Sequence, residues 1–146
     1  MGSAGKVISS LAGAVALALV AQAVQGATMP EETVKQYLKA MQEHRFEDAY
    51  SRITKKMAGS KDKEVWAKEW KYVFDAGEAK ILGYELFPVK VEGETAQVAC
   101  IISSQDKALN ALGADEYSVF TLIKKDGEWL IDGEEQLEKP DSRFKK

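Results

Sequence analysis

Apolar positions recur along this chain with two different periods, and the changeover falls near Gly77. Val34, Tyr37, Leu38 and Met41 stand at i, i+3, i+4 and i+7, which lays one apolar stripe along a helix. Thr28-Met29-Pro30-Glu31-Glu32 supplies its start: a capping hydroxyl, Glu31 placed to complete a capping box, Pro in the first turn and acids at the positive end of the dipole. This helix is predicted to end near Glu43. The spacing restarts with Phe46, Ala49, Tyr50 and Ile53, predicting a second short helix to about Thr54. A third runs from about Asp62 to Asp75 and stops at Gly77, with Trp66, Trp70 and Val73 on its apolar face, Val65 and Phe74 flanking it, and Glu64 and Lys68 as i, i+4 partners on its wet side.

Beyond Gly77 the period becomes two. Ile81 to Val91 reads as a strand with an irregularity at Pro88, Glu92-Gly93-Glu94 as a hairpin turn, and Thr95 to Ser103 as a strand with Val98, Cys100 and Ile102 on one face. Gln105 to Asp115 is a longer connection with some helical character. Glu116 to Lys125 and Glu128 to Asp132 then form a hairpin through Asp126-Gly127, a dipeptide suited to positive φ. Helices segregated ahead of an antiparallel meander predict an α+β fold: three N-terminal helices packed on a four-stranded sheet. Residues 27–137 form one domain in this reading, and 138–146 a solvated C-terminal tail.

Residues 1–26 have a different character. Lys6 is their only charge, and the Ala-, Val-, Leu- and Gly-rich stretch that follows it reads as the apolar region of a signal peptide. Small residues offer cleavage after Ala23 or Gly26, with Gly26 favoured. Periplasmic or secreted localisation follows, the alternative being an uncleaved membrane anchor over residues 7–26. Removing the segment leaves 19 basic and 23 acidic residues, a net charge of −4.

That mildly acidic balance supplies no basic surface for phosphates, so nucleic acid is not an expected partner. A composition 45% hydrophobic and 29% charged excludes a disordered or fibrous chain. One Cys and one His cannot make a disulfide or provide the ligands of a structural zinc site, and neither metal nor cofactor is expected. Cys100 reads as a small buried thiol, and His44 as a ring at a helix end. Asp132, Glu134, Glu135 and Glu138 could attract a hard cation, but by default read as a solvated strand end. Asp132, alternating with Leu130, is the least poor candidate for a carboxylate base.

Thr28 to Leu38, Phe46-Glu47-Asp48-Ala49-Tyr50 and Phe120 to Ile131 resemble the opening helix pair and closing hairpin of small secreted bacterial domains in the nuclear transport factor 2-like superfamily. The resemblance spans nearly all of the chain after residue 26. It implies a cone-shaped α+β roll, with three helices held in a strongly curved sheet and a pocket between them. Relatives of this type usually place a Gly-Asp turn between the first two helices, where this chain has His44-Arg45.

A dry 300 Å³ apolar cavity would cost about 7 kcal/mol, comparable with the whole stability of a domain, so it must be filled by side chains or occupied. Filling by Tyr37, Tyr50, Trp66, Trp70 and Phe74 is the simpler expectation. If a pocket is open, Tyr37, Tyr50, Trp66 and Trp70 are its expected walls, since they combine apolar faces with hydrogen-bond donors. The function expected is non-enzymatic binding of a small apolar ligand or a protein partner. A pocket enzyme of isomerase or hydratase type and a structural module of the cell envelope are the alternatives. Tyr117, Val119 and Ile123 oppose Phe120 and Leu122 across one strand, so both sheet faces need cover: the helices on one side, the sheet's own curvature or a second subunit on the other, which predicts a weak or moderate tendency to homodimerise.

Overall fold

A computed structural model describes residues 29–108 and 111–146. The expected signal peptide or anchor, and Thr28 of the expected capping box, lie outside the described residues. Helix α1 (Pro30–Gln42) has Pro in its first turn beside Glu31 and Glu32, and Met29 is its cap residue without a side-chain bond. Its predicted stripe is the buried one: Val34, Tyr37, Leu38 and Met41, joined by Thr33 and Ala40. His44 closes the turn that follows with φ of 59°, the left-handed region in which glycine is most at ease. Its ring stacks on Phe46 at 5.5 Å and meets Phe74 edge-on at 5.2 Å, contacts that oppose the backbone cost.

Helix α2 (Phe46–Tyr50) is shorter than the spacing predicts. The chain from Arg52 leaves it to bridge the last strand: the amide of Thr54 donates to the Ile131 carbonyl at 2.9 Å, and the Ile131 amide to Arg52 at 2.9 Å. Ile53 still reaches the core, through a parallel bridge rather than a helical face. Helix α3 (Lys63–Gly77) is capped by Asp62, whose carboxylate accepts from the Val65 amide at 3.0 Å. The Glu64–Lys68 pair forms at 3.2 Å.

The sheet has five antiparallel strands rather than four: β1 (Lys80–Leu86), β2 (Lys90–Glu92), β3 (Thr95–Gln105), β4 (Ala114–Lys125) and β5 (Glu128–Leu137). The extra count comes from Pro88, which has no amide to give a ladder and splits one predicted strand into β1 and β2. Both pair with β3, on successive halves of it, and the order continues β3-β4-β5. Asp126 and Gly127 both take positive φ between β4 and β5, as their hairpin requires. The described residues of the β3–β4 connection form no helix.

Helix α1 crosses the inner face of the sheet and is fixed at both ends. Near its start the Thr33 hydroxyl donates to the Trp129 carbonyl at 2.9 Å, and at its end Gln42 Nε2 donates to the Ile81 carbonyl at 3.0 Å. Between these points Val34, Tyr37 and Leu38 join a core with Val98, Phe120, Leu122 and Ile131. Full burial of each large side chain there contributes about 1.5–3 kcal/mol.

Candidate functional site

The inner face of the sheet grades from apolar to polar toward the end where β4 begins and β5 finishes. On β4, Leu122 and Phe120 are followed on the same side by Ser118 and Glu116, two residues apart each time, as the pleat dictates. On β3 the matching row is Val98, Cys100, Ile102 and Ser104, paired across to Phe120, Ser118, Glu116 and Ala114.

Strand β5 reaches the same end by a different rule. Trp129 and Ile131 face the core, so strict alternation would put residue 133 inward next. Instead the ladder shifts: Leu122 pairs with Ile131, Thr121 with Gly133, and Asp132 is the extra residue of a β-bulge. The bulge changes the parity of the strand and turns Glu134 and Gln136 inward. The strand also continues to Leu137, where its acidic sequence suggested an end near Asp132.

These rows, α1 and α3 enclose a cavity of about 240 Å³ that opens to solvent. The expectation of a fully filled interior is therefore corrected. Tyr37, Trp70, Phe74 and Phe120 are its aromatic walls, with Ile81 and Ile102 beside them; Glu116, Glu134 and Gln136 from the sheet, and Lys80 and Asp106, bring polar groups to it. Of the four expected wall residues, Tyr37 and Trp70 line the space. Trp66 and Tyr50 belong to the packing behind it: Trp66 meets Trp70 edge-on at 6.1 Å and Tyr50 at 5.7 Å, and the Tyr50 hydroxyl donates to the Lys61 carbonyl at 2.8 Å.

Tyr37 is only 5% exposed, and its hydroxyl has no hydrogen-bond partner among the described residues. Burial, reinforced by the charge of Glu134, holds its phenol well above the ordinary range, so it is a neutral donor at any physiological pH. Glu134 is exposed through the open mouth, yet within a concavity its carboxylate is less well hydrated than on a convex surface. That desolvation raises its pKa and the nearby Glu116 raises it further, against the hydroxyl of fully buried Ser118, which donates to Glu134 Oε2 at 2.8 Å. Sequence reasoning missed Glu116, Glu134 and Ser118 as site residues. Alternation from Phe120 could have found the two on β4, but Glu134 depends on the bulge.

The other candidates have structural places. Asp132 accepts from the Thr54 hydroxyl at 2.7 Å and from Lys56 Nζ at 3.4 Å, tying the chain after α2 to β5; it does not line the cavity. Cys100 is fully buried, and burial pushes its thiol up to about 12. Among the described residues no group of His, Cys, Asp and Glu could hold a metal ion. No helix among them is long and apolar enough to cross a membrane.

No family model and no curated protein matches the sequence. Solved structures match the fold. A nuclear transport factor 2-like protein of unknown function from Pseudomonas putida superposes with a TM-score of 0.56 at 10% identity, over 80% of this chain and 88% of the other. A ketosteroid isomerase-like protein from Shewanella frigidimarina gives 0.56 at 19% identity, over 73% and 92%. The match to Bd1075 of Bdellovibrio bacteriovorus, 0.56 at 13%, covers 73% of this chain but only 39% of that longer one. The chain has the nuclear transport factor 2-like fold. At these identities the likeness extends to fold alone.

Proposed function

We propose that the protein binds a small amphipathic molecule in this cavity without transforming it, as an exported binding domain. The observation that carries this reading is one solvent-reached space walled by Tyr37, Trp70, Phe74, Phe120 and Ile102, into which the Tyr37 hydroxyl opens with no partner among the described residues. A polar ligand group that bonds this hydroxyl in place of solvent contributes about 0.5–1.5 kcal/mol net. Apolar walls with a few convergent polar groups are the usual composition of ligand sites. A volume below about 300 Å³ suits a ligand smaller than most drugs.

Native mass spectrometry of protein purified from its own compartment tests the reading. A bound small molecule is expected, and it should be absent from Ile102→Trp, in which an indole occupies the cavity. Bare wild-type protein that also takes up no small molecule on titration would overturn the proposal. N-terminal sequencing of the same material tests export, which requires a chain beginning after Ala23 or Gly26.

One observation supports a catalytic alternative: a carboxyl above its ordinary range shares the cavity with a neutral phenol. Such a pair could remove a proton from carbon and stabilise the enolate oxygen that results, with Glu134 as base and Tyr37 as donor. This alternative requires the wild type to isomerise an enolisable ketone and Glu134→Gln to abolish the turnover. Binding without turnover supports the non-catalytic binding reading instead.

A further inference from the structure

We propose that the ligand class is a small organic cation, an ammonium group on an apolar body, held with its charge at Glu116 and Glu134 and its body against the aromatic walls. This rests on the binding reading above and narrows it. The acidic pair outweighs the base in the lining: Glu116 and Glu134 share it with Lys80, which is exposed. Neither Glu116 nor Glu134 forms an ion pair among the described residues. The hydrogen-bond partner of Glu134 is the neutral Ser118 hydroxyl. Elsewhere the chain pairs acids with neighbouring bases readily, as in Arg45 with Glu43 and Asp48 at 2.7 Å each. Two carboxylates that repel one another in a shared concavity, neither ion-paired among the described residues, form a site whose electrostatic deficit is a positive charge.

The walls favour the same sign. Tyr37, Trp70, Phe74 and Phe120 present ring systems around one small space. Aromatic faces attract ammonium groups, and the attraction grows as water is excluded. The Tyr37 hydroxyl, whose oxygen can also accept, adds a neutral dipole that a cation can use. A ligand carboxylate of the same size would meet Glu116 and Glu134 with like charge. A neutral alcohol would satisfy Tyr37 and leave the two acids as they are.

Isothermal titration of the full chain with three probes sharing one phenylethyl body separates these cases: 2-phenylethylamine, 2-phenylethanol and 3-phenylpropionate. The amine should bind about tenfold or more tighter than the alcohol, the order expected of one charge-assisted contact, and the acid weakest of all. In the double variant Glu116→Gln/Glu134→Gln the amine-to-alcohol ratio should fall to about twofold or less. Taking the ratio within one variant cancels any general loss of folded protein. An alcohol or acid that binds as tightly as the amine, or an amine preference that survives the double variant, overturns the cation assignment while the cavity reading stands. If none of the three probes binds, the cavity reading fails and the inference with it.

Discussion

Glu134 carries a stability cost that can be measured apart from any ligand. Its pKa is raised on folding from the ordinary value of 4.5, so the folded chain holds the proton more tightly than the unfolded one. By linkage, the stability this site contributes is fully present below about pH 4 and is lost as pH rises through the raised value. Glu116 faces the carboxyl from β4, Tyr37 from α1, Lys80 from β1 and Asp106 from the β3–β4 connection. At pH 7 the ionised group sits near Glu116 and forms no ion pair among the described residues. Glu134→Gln should therefore stabilise the chain at pH 7 by less than about 1 kcal/mol, because solvent reaches the mouth, and so raise the thermal midpoint by a few degrees or less. The gain should shrink toward zero near pH 4; equal midpoints at pH 7 would contradict the assignment. Tyr37 was legible in the sequence because its place in the α1 stripe fixes both its burial and its direction. Glu134 was not, because a charged residue in the run Gly133-Glu134-Glu135 looks solvated until the neighbouring ladder is known.

At the level of elements, most of the molecule follows from local periodicity, and the failures come from pairing between distant segments. The three helices, the change of period at Gly77 and the Asp126-Gly127 hairpin depend on residues within one or two turns of each other. The early end of α2 and the bulge at Asp132 meet across the fold: Thr54 donates to Asp132 through its hydroxyl and to Ile131 through its amide. Pro88 was legible as an irregularity, but only the pairing with β3 shows two strands on either side of it. Asp132→Ala should cost about 1–2 kcal/mol in chemical denaturation, since it removes the acceptor of the Thr54 hydroxyl proton. It should change affinity for 2-phenylethylamine by about twofold at most, because the bulge is set by the ladder on both sides of residue 132 and not by its side chain. A large affinity loss at unchanged stability would instead make Asp132 part of the site.

For the whole molecule, the question posed by apolar residues on both faces of β4 has an answer within the chain. Phe120 and Leu122 join the main core, while Val119 packs on the opposite face with Phe87 and Ala99, flanked by Ile101 and Leu137. The tail is exposed over most of its length, as its composition suggests, but the 3₁₀ turn Ser142–Phe144 docks Phe144 on this second cluster. Its ring meets Phe87 at 5.5 Å and Tyr117 at 5.6 Å, and Lys146 lies over Phe87 at 5.8 Å while pairing with Glu85 at 2.6 Å. A single aromatic in a charged tail carries no periodic signal, so this cover could not be read from spacing. The tail and a second subunit would compete for the same surface. Truncation after Pro140 should lower stability by about 1–2 kcal/mol through the lost burial of Phe144. It should also leave Phe87 and Val119 more accessible, and apolar surface of that kind promotes self-association. Light scattering at tens of micromolar should then give a larger average mass for the truncated chain than for the full one. If the full chain is already a dimer and truncation leaves its mass unchanged, the association surface lies elsewhere and the tail acts only as a cover.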